Sequence, residues 1–137
     1  MPKGMPREMR KEGLTSEGKF YPCPEKQVCV STMAPKDDET HYMEPIEYST
    51  SMEEAKEKII KTVKSFKRTE IIDEKDNYIH TTFTTFLFRF TDDVEFLLDD
   101  TEKIIHFKSQ SRVGGFDWGK NRSRMKKFKK KFNTLND

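Results

Sequence analysis

Seven polar or charged residues interrupt apolar segments between the middle and the end of this 137-residue chain. They are Arg89, Asp92, Asp93, Arg112, Asp117, Asn121 and Arg122. Charged side chains beside core positions are costly to bury unless they pair, so these residues indicate either an ion-pair lock or a polar site. In a lock, arginine would bind aspartate bidentately and tie a turn to a strand. In a site, Arg112 and Arg122 would face an anionic ligand together with the amides of Gly114, Gly115 and the helix start.

A small enzyme is an alternative use of the same residues, with the Asp92/Asp93 pair acting beside Arg112. Acid–base chemistry of that kind needs a pocket that reaches the carboxylates, and at least one carboxylate that stays unpaired. The sequence has no Ser-His-Asp spacing, nucleophile elbow or phosphate loop. We therefore expect a non-enzymatic binding or scaffold domain without a cofactor, whose partner is a small anionic ligand or a protein.

The two cysteines, Cys23 and Cys29, leave two alternatives open. Two thiols are too few for a structural zinc site, and the spacings of His41, His80 and His106 match no zinc motif, so we expect no metal. A disulfide between the cysteines would close a short loop and would need an oxidising compartment. The basic start of the chain lacks the apolar stretch of a secretory signal, which predicts a cytoplasmic protein with reduced thiols.

Charge is distributed unevenly along the chain. The net charge of +2 provides no overall attraction to nucleic acid or membranes, although residues 120–131 hold eight basic residues and no acid. A helix with such a face could bind nucleic acid or an anionic membrane, and we keep that recruitment as an alternative. A solvated helix face accounts for the same run, so we expect neither nucleic acid nor a membrane as partner.

The elements that position these residues predict an α+β domain. Proline and glycine punctuate residues 1–19, which we expect to be a flexible segment before a single domain at 20–135. A capping box at Ser51 and apolar residues at helical spacing predict a helix to about Phe66. A basic helix starts near Asn121 with an apolar stripe. Strands are predicted at 41–48, 69–74, 78–90, 94–98 and 104–113.

These elements predict the order β-α-β-β-β-β-α, with an antiparallel meander sheet of four or five strands and two helices on one face. The helix stripe and Phe86, Phe88, Phe90 and Phe96 would supply most of the core. A turn at 91–93 would lie at the same sheet end as the last residues of strand 104–113. Arg112 would then meet Asp92 and Asp93 there, and Glu95 would lie across from Arg89.

Three blocks of the sequence resemble the uncharacterised family named domain of unknown function 1499. They are P-C-P-x-x-x-x-C-V-S-T at 22–32, F-R-F-T-D-D-V-E-F at 88–96 and S-x-S-R-V-G-x-x-D-x-G-x-N-R-x-R at 109–124. The resemblance covers about residues 21–132 and implies no assigned reaction. It does imply an envelope-associated protein, because many members look as if they carry an export or membrane segment before the cysteine block.

Overall fold

A computed structural model describes residues 12–135 and contains six strands and two helices. The elements are β1 (Cys29–Ser31), β2 (Ile46–Glu47), α1 (Met52–Lys64), β3 (Thr69–Glu74), β4 (Tyr78–Thr84), β5 (Thr91–Asp99), β6 (Ile104–Ser111) and α2 (Lys120–Thr134). The predicted α+β class is confirmed. A short strand at Cys29–Ser31, which was not predicted, begins the order.

The six strands form one antiparallel sheet. Strands β3 to β6 follow one another as the predicted meander, and β1 continues the sheet beyond β6 in the order β1-β6-β5-β4-β3. Strand β2 pairs with the opposite end of β6. Six strands form instead of four or five because both short strands pair along the free edge of β6.

Both helices pack on one face of this sheet. The Ser51 hydroxyl accepts a hydrogen bond from the amide of Glu54 at 3.1 Å, as the capping box predicts for the start of α1. Buried residues of α1 and α2 meet the inward side chains of β4, β5 and β6 in a single core. Phe96 and Phe128 lie at its centre, with ring centroids 4.8 Å apart.

Strand β4 is shorter than predicted, which corrects the position of the turn. It ends at Thr84, and residues 85–90 form a loop closed by backbone hydrogen bonding from Thr85 to Phe90 at 2.9 Å. Phe86 and Phe88 are therefore exposed and do not enter the core, whereas Phe96 is buried. The neighbouring strand β3 pairs with β4 only as far as Phe83, so no third strand supports a longer β4.

The start of the described chain lies on the other face of the sheet. Leu14 and Phe20 form an antiparallel bridge, and Phe20 packs with Tyr78 and Leu97. The amide of Gly13 donates a hydrogen bond to a carboxylate of β5. These contacts attach Gly13, Leu14 and Phe20 to β4 and β5, and the boundary expected at residue 20 stays a prediction. The rest of the expected flexible segment, residues 1–11, lies outside the described residues.

Candidate functional site

The predicted charged residues are divided between the two faces of the sheet. Asp92 and Asp93 lie within β5, not in a turn, and successive strand residues point to opposite faces. Asp92 contacts α2 on the helix face, whereas Asp93 contacts Arg112 on the outer face. The predicted strand neighbours are therefore correct, but the charged residues form two separate ion-pair groups instead of one.

On the helix face, Asp92 holds the first turns of α2. Its fully buried carboxylate accepts a hydrogen bond of 2.6 Å from Arg124 and lies 3.1 Å from the Lys120 ammonium. The Arg124 guanidinium also lies over the Phe83 ring, 5.3 Å from its centroid. Two cations thus compensate one buried carboxylate, as a buried charge requires.

Asn121 connects α2 to the strands beneath it. This fully buried amide donates hydrogen bonds to the Ser111 hydroxyl at 2.9 Å and to the Val28 carbonyl oxygen at 3.1 Å. It also donates to the Asp117 carboxylate at 2.7 Å, and its own oxygen accepts from the Ser109 hydroxyl. Asp117 in turn accepts from the amide of Gly119 just before α2. Polar contacts therefore hold the loop 114–119 to the strands and to the start of α2.

On the outer face, Asp93 forms the bidentate pair predicted with Arg112. Both oxygen–nitrogen distances are 2.8 Å, and the imidazole Nε2 of His80 lies 2.8 Å from the same carboxylate. Burial raises the pKa of Asp93, but the hydrogen bonds from Arg112 and His80 outweigh burial and lower the pKa to about 2. The same pairing raises the pKa of Arg112. Asp93 is consequently ionised and fully engaged.

Two of the predicted residues lie outside these groups. Arg89 is exposed in the loop 85–90, with a positive φ of 56°, and the residue across from Glu95 on β4 is His80. The Arg122 guanidinium donates to the carbonyl oxygens of Glu39, Thr40 and Tyr42 at 3.0–3.1 Å. Arg122 thus binds residues 39–42 to α2. Other cations pair with Asp92 and Asp93.

A second set of buried ionisable residues on the outer face was not predicted. Glu95 accepts a hydrogen bond from the Tyr78 hydroxyl at 2.5 Å, and Lys108 donates to the Tyr21 carbonyl oxygen at 2.8 Å. Glu95 and Lys108 are direct cross-strand neighbours. Burial raises the pKa of Glu95 and lowers that of Lys108. The segment 12–21 covers these residues. No local pattern in the sequence indicates that this segment packs over them.

The structure contains a disulfide between Cys23 and Cys29, one of the two alternatives for these thiols. It joins the segment before β1 to the first residue of that strand. Within residues 12–135, no group of three or more potential ligands could hold a metal ion. A cavity of about 260 Å³ lies near the disulfide, between Arg122, Asp117 and Glu39. Neither Asp92 nor Asp93 lines it.

Large apolar side chains are exposed at the sheet end that carries the ion pairs. In the loop 85–90, Phe86 is 67%, Leu87 73% and Phe88 66% exposed. In the loop 112–119, Phe116 is 50% and Trp118 88% exposed. The two loops adjoin the same end of β5, because β5 pairs from its first residues with the last residues of β4 and β6. We call these five residues the aromatic end.

Three cations lie beside aromatic rings of the loop 85–90. The guanidinium of Arg68 lies 5.3 Å from the centroid of the Phe86 ring, and that of Arg89 lies 6.0 Å from the same centroid. Within residues 12–135, neither arginine forms an ion pair. Lys120 lies 5.9 Å from the centroid of the Phe90 ring. The nearby acids Asp92 and Asp93 are buried and paired, and the exposed Arg68 and Arg89 present positive charge to the solvent beside Phe86.

Comparison with known proteins yields a family but no characterised relative. The family model described as "Protein of unknown function (DUF1499)" matches residues 19–132. Neither the curated proteins nor the solved structures contain a match. Among the described residues, no helix combines the length and the apolar character needed to span a membrane.

Proposed function

This chain belongs to the family described as protein of unknown function DUF1499, and since that description names no reaction, we propose a function from the candidate site. We propose a non-enzymatic binding domain that contacts its partner through the aromatic end. One contrast carries the proposal. The carboxylates of Asp92 and Asp93 at this sheet end are paired inside the protein, whereas five large apolar side chains beside them are exposed.

The pairing of the carboxylates supports a structural role for the charged residues. Asp92 is held by Arg124 and Lys120, and Asp93 is held by Arg112 and by a histidine. An acid–base mechanism needs a carboxylate that can exchange a proton with a substrate. With its pKa held at about 2, Asp93 is a poor base near neutral pH. These contacts favour a lock that holds β5, β6 and α2 together.

The same lock would support the aromatic end. Lys120 and Asp117 lie at the junction between the loop 112–119 and α2, and Asp92 follows the loop 85–90 by two residues. Several large apolar side chains exposed at one end of a sheet commonly mark an interaction surface. A rigid base reduces the entropy that two loops lose on binding, which favours recognition.

The disulfide supports a location for this binding domain outside the cytosol. Disulfides persist in oxidising compartments such as the cell envelope and are rare where thiols are kept reduced. We therefore propose an envelope-associated protein, although the sequence predicts a cytoplasmic one. Alkylation of the protein in intact cells, followed by mass measurement, tests this proposal. A protein that takes up two alkyl groups without prior reduction would have Cys23 and Cys29 as free thiols and contradict it.

Site-specific photocrosslinking in expressing cells tests the binding surface. A benzophenone side chain replaces either Phe88 or Trp118, and a third variant carries it at Ile72, an apolar residue 50% exposed on the edge strand β3. We expect adducts from positions 88 and 118. The Ile72 position should yield none. Equal yields at all three positions, or no adduct from the two loop positions, would overturn the proposed function.

A further inference from the structure

We infer that the partner of the aromatic end is the interface of an anionic lipid bilayer. This inference rests on the proposed function, because it identifies the partner of the surface proposed there. It depends on three features of the described residues: the type of the exposed side chains, the cations beside them, and a group of acids at the other end of the sheet.

The exposed side chains suit the boundary between headgroups and acyl chains. Tryptophan is enriched there because its ring is apolar and its indole N–H can remain hydrated. Trp118 is 88% exposed and lies edge-on to Phe116, with ring centroids 4.9 Å apart. Phe86, Leu87 and Phe88 are consecutive in the adjoining loop, so two loops present apolar groups together. A bilayer can accept both loops without a matching groove.

The cations provide charge complementarity to anionic headgroups. Arg68 and Arg89 flank the Phe86 ring, and their long side chains can reach phosphates while the rings enter the interface. The loop 85–90 contains no acidic residue. Asp92 and Asp93, the closest acids of β5, are already neutralised by internal cations. These buried, paired acids would therefore not repel a negative lipid surface.

A group of acids lies at the sheet end opposite the aromatic end. Asp99, Asp100 and Glu102 occupy the turn between β5 and β6, at the opposite end of the sheet. The Tyr48 hydroxyl donates a hydrogen bond of 2.7 Å to Asp100 there. The net charge of +2 conceals this separation, which is why overall charge predicted no membrane partner. The separation favours an orientation with the aromatic end toward a negative surface.

Vesicle binding by the full chain tests the inference directly. The vesicles contain phosphatidylcholine alone or phosphatidylcholine mixed with phosphatidylglycerol. Binding is measured by co-sedimentation and by the emission of Trp118, the single tryptophan. We expect binding to the mixed vesicles, with a blue shift of the emission. Raised salt should weaken it, because surface charge attraction is screened. Equal binding to both vesicle types would overturn the inference.

Two variants assign the binding to the aromatic end. Arg89→Gln should weaken partitioning about five-fold, the effect typical of one basic residue near an anionic surface. Leu87→Ser should weaken it about ten-fold, because an apolar side chain no longer enters the interface. Neither side chain is buried, so both variants should fold.

Lys129→Gln on α2 is the matched charge control for Arg89→Gln. Lys129 lies beside Tyr48 and Glu47, near the opposite end of the sheet. If Lys129→Gln weakens binding as much as Arg89→Gln, the basic helix and not the aromatic end is responsible, and the inference is wrong. If vesicles do not bind but crosslinks form at Phe88, the inference falls and the proposed function stands. If both fail, both fall.

Discussion

Replacement of Arg112 by methionine should cost about 2 kcal/mol of unfolding free energy at neutral pH. The cost follows from the carboxylate that Arg112 holds. Burial raises the pKa of Asp93, but pairing with Arg112 and His80 lowers it from 3.8 to about 2. At about 1.4 kcal/mol per pH unit, that difference corresponds to about 2.5 kcal/mol of folding free energy, which Arg112 and His80 supply together, with the larger part from Arg112. The 32% exposure of Arg112 keeps the cost below that of breaking a fully buried pair.

The pH dependence tests whether charge is the cause. The folded-state pKa of Asp93 is lower than its unfolded value, so its contribution is complete above 3.8 and is lost as the pH falls through about 2. Urea unfolding of both proteins over a pH series measures it. We expect the wild-type advantage to shrink toward zero at the acidic end. A difference that stays constant across the series would refute the pairing argument.

Arg89→Gln is the control for this experiment. Arg89 is exposed and forms no ion pair within residues 12–135. Its substitution should change the unfolding free energy by less than about 0.5 kcal/mol at every pH. A loss as large as that of Arg112→Met would show that the two arginines contribute alike, contrary to their different surroundings.

Three further predictions concern other parts of the fold. Asn121→Ala should cost about 3 kcal/mol in urea unfolding, because the buried hydroxyls of Ser109 and Ser111 on β6 each lose a hydrogen bond, and a loss under about 1 kcal/mol would contradict that role. Breaking the bond between Cys23 and Cys29, which are six positions apart, should cost about 2 kcal/mol; an unchanged melting temperature in reductant would count against it. Phe96→Ala should cost about 4 kcal/mol, whereas Phe86→Ser should leave the melting temperature unchanged.

Local patterns predicted much of the helix face. The capping box at Ser51 and the stripe of Met125, Phe128 and Phe132 are signals within a few residues, and the structure reproduces both. The meeting of Asp93 and Arg112 was also predicted, because two short reversals bring β5 and β6 side by side. Short-range periodicity and short connections were sufficient for these features.

The division of Asp92 and Asp93 between faces was missed for an identifiable reason. Extending β4 to residue 90 placed both carboxylates in a turn, where alternation does not apply. Their placement in β5 makes opposite orientations unavoidable. Arg124 was then overlooked as a partner, although it lies one helical turn after Asn121 in the motif at 109–124. Its spacing from Asn121 was a signal that could have found it.

The outer face could not be predicted from local pattern at all. Glu95 and Lys108 alternate with core residues, which in an antiparallel sheet usually indicates a solvated face. They are buried under the start of the described chain. Gly13 contacts Glu95, which is 82 positions later in the sequence, and Tyr21 contacts Lys108, which is 87 positions later. Contacts of that separation depend on the assembled fold, so the residue types alone carry no information about them.

The depth of Trp118 in a bilayer is the most direct measure of how this protein binds. Vesicles of phosphatidylcholine and phosphatidylglycerol are prepared with bromine atoms, which quench tryptophan emission, on the acyl chains near the headgroups. We expect strong quenching of Trp118 by these lipids and reduced access of aqueous iodide to the indole. Unquenched emission from sedimented, vesicle-bound protein would show that the aromatic end faces water, and would contradict the account.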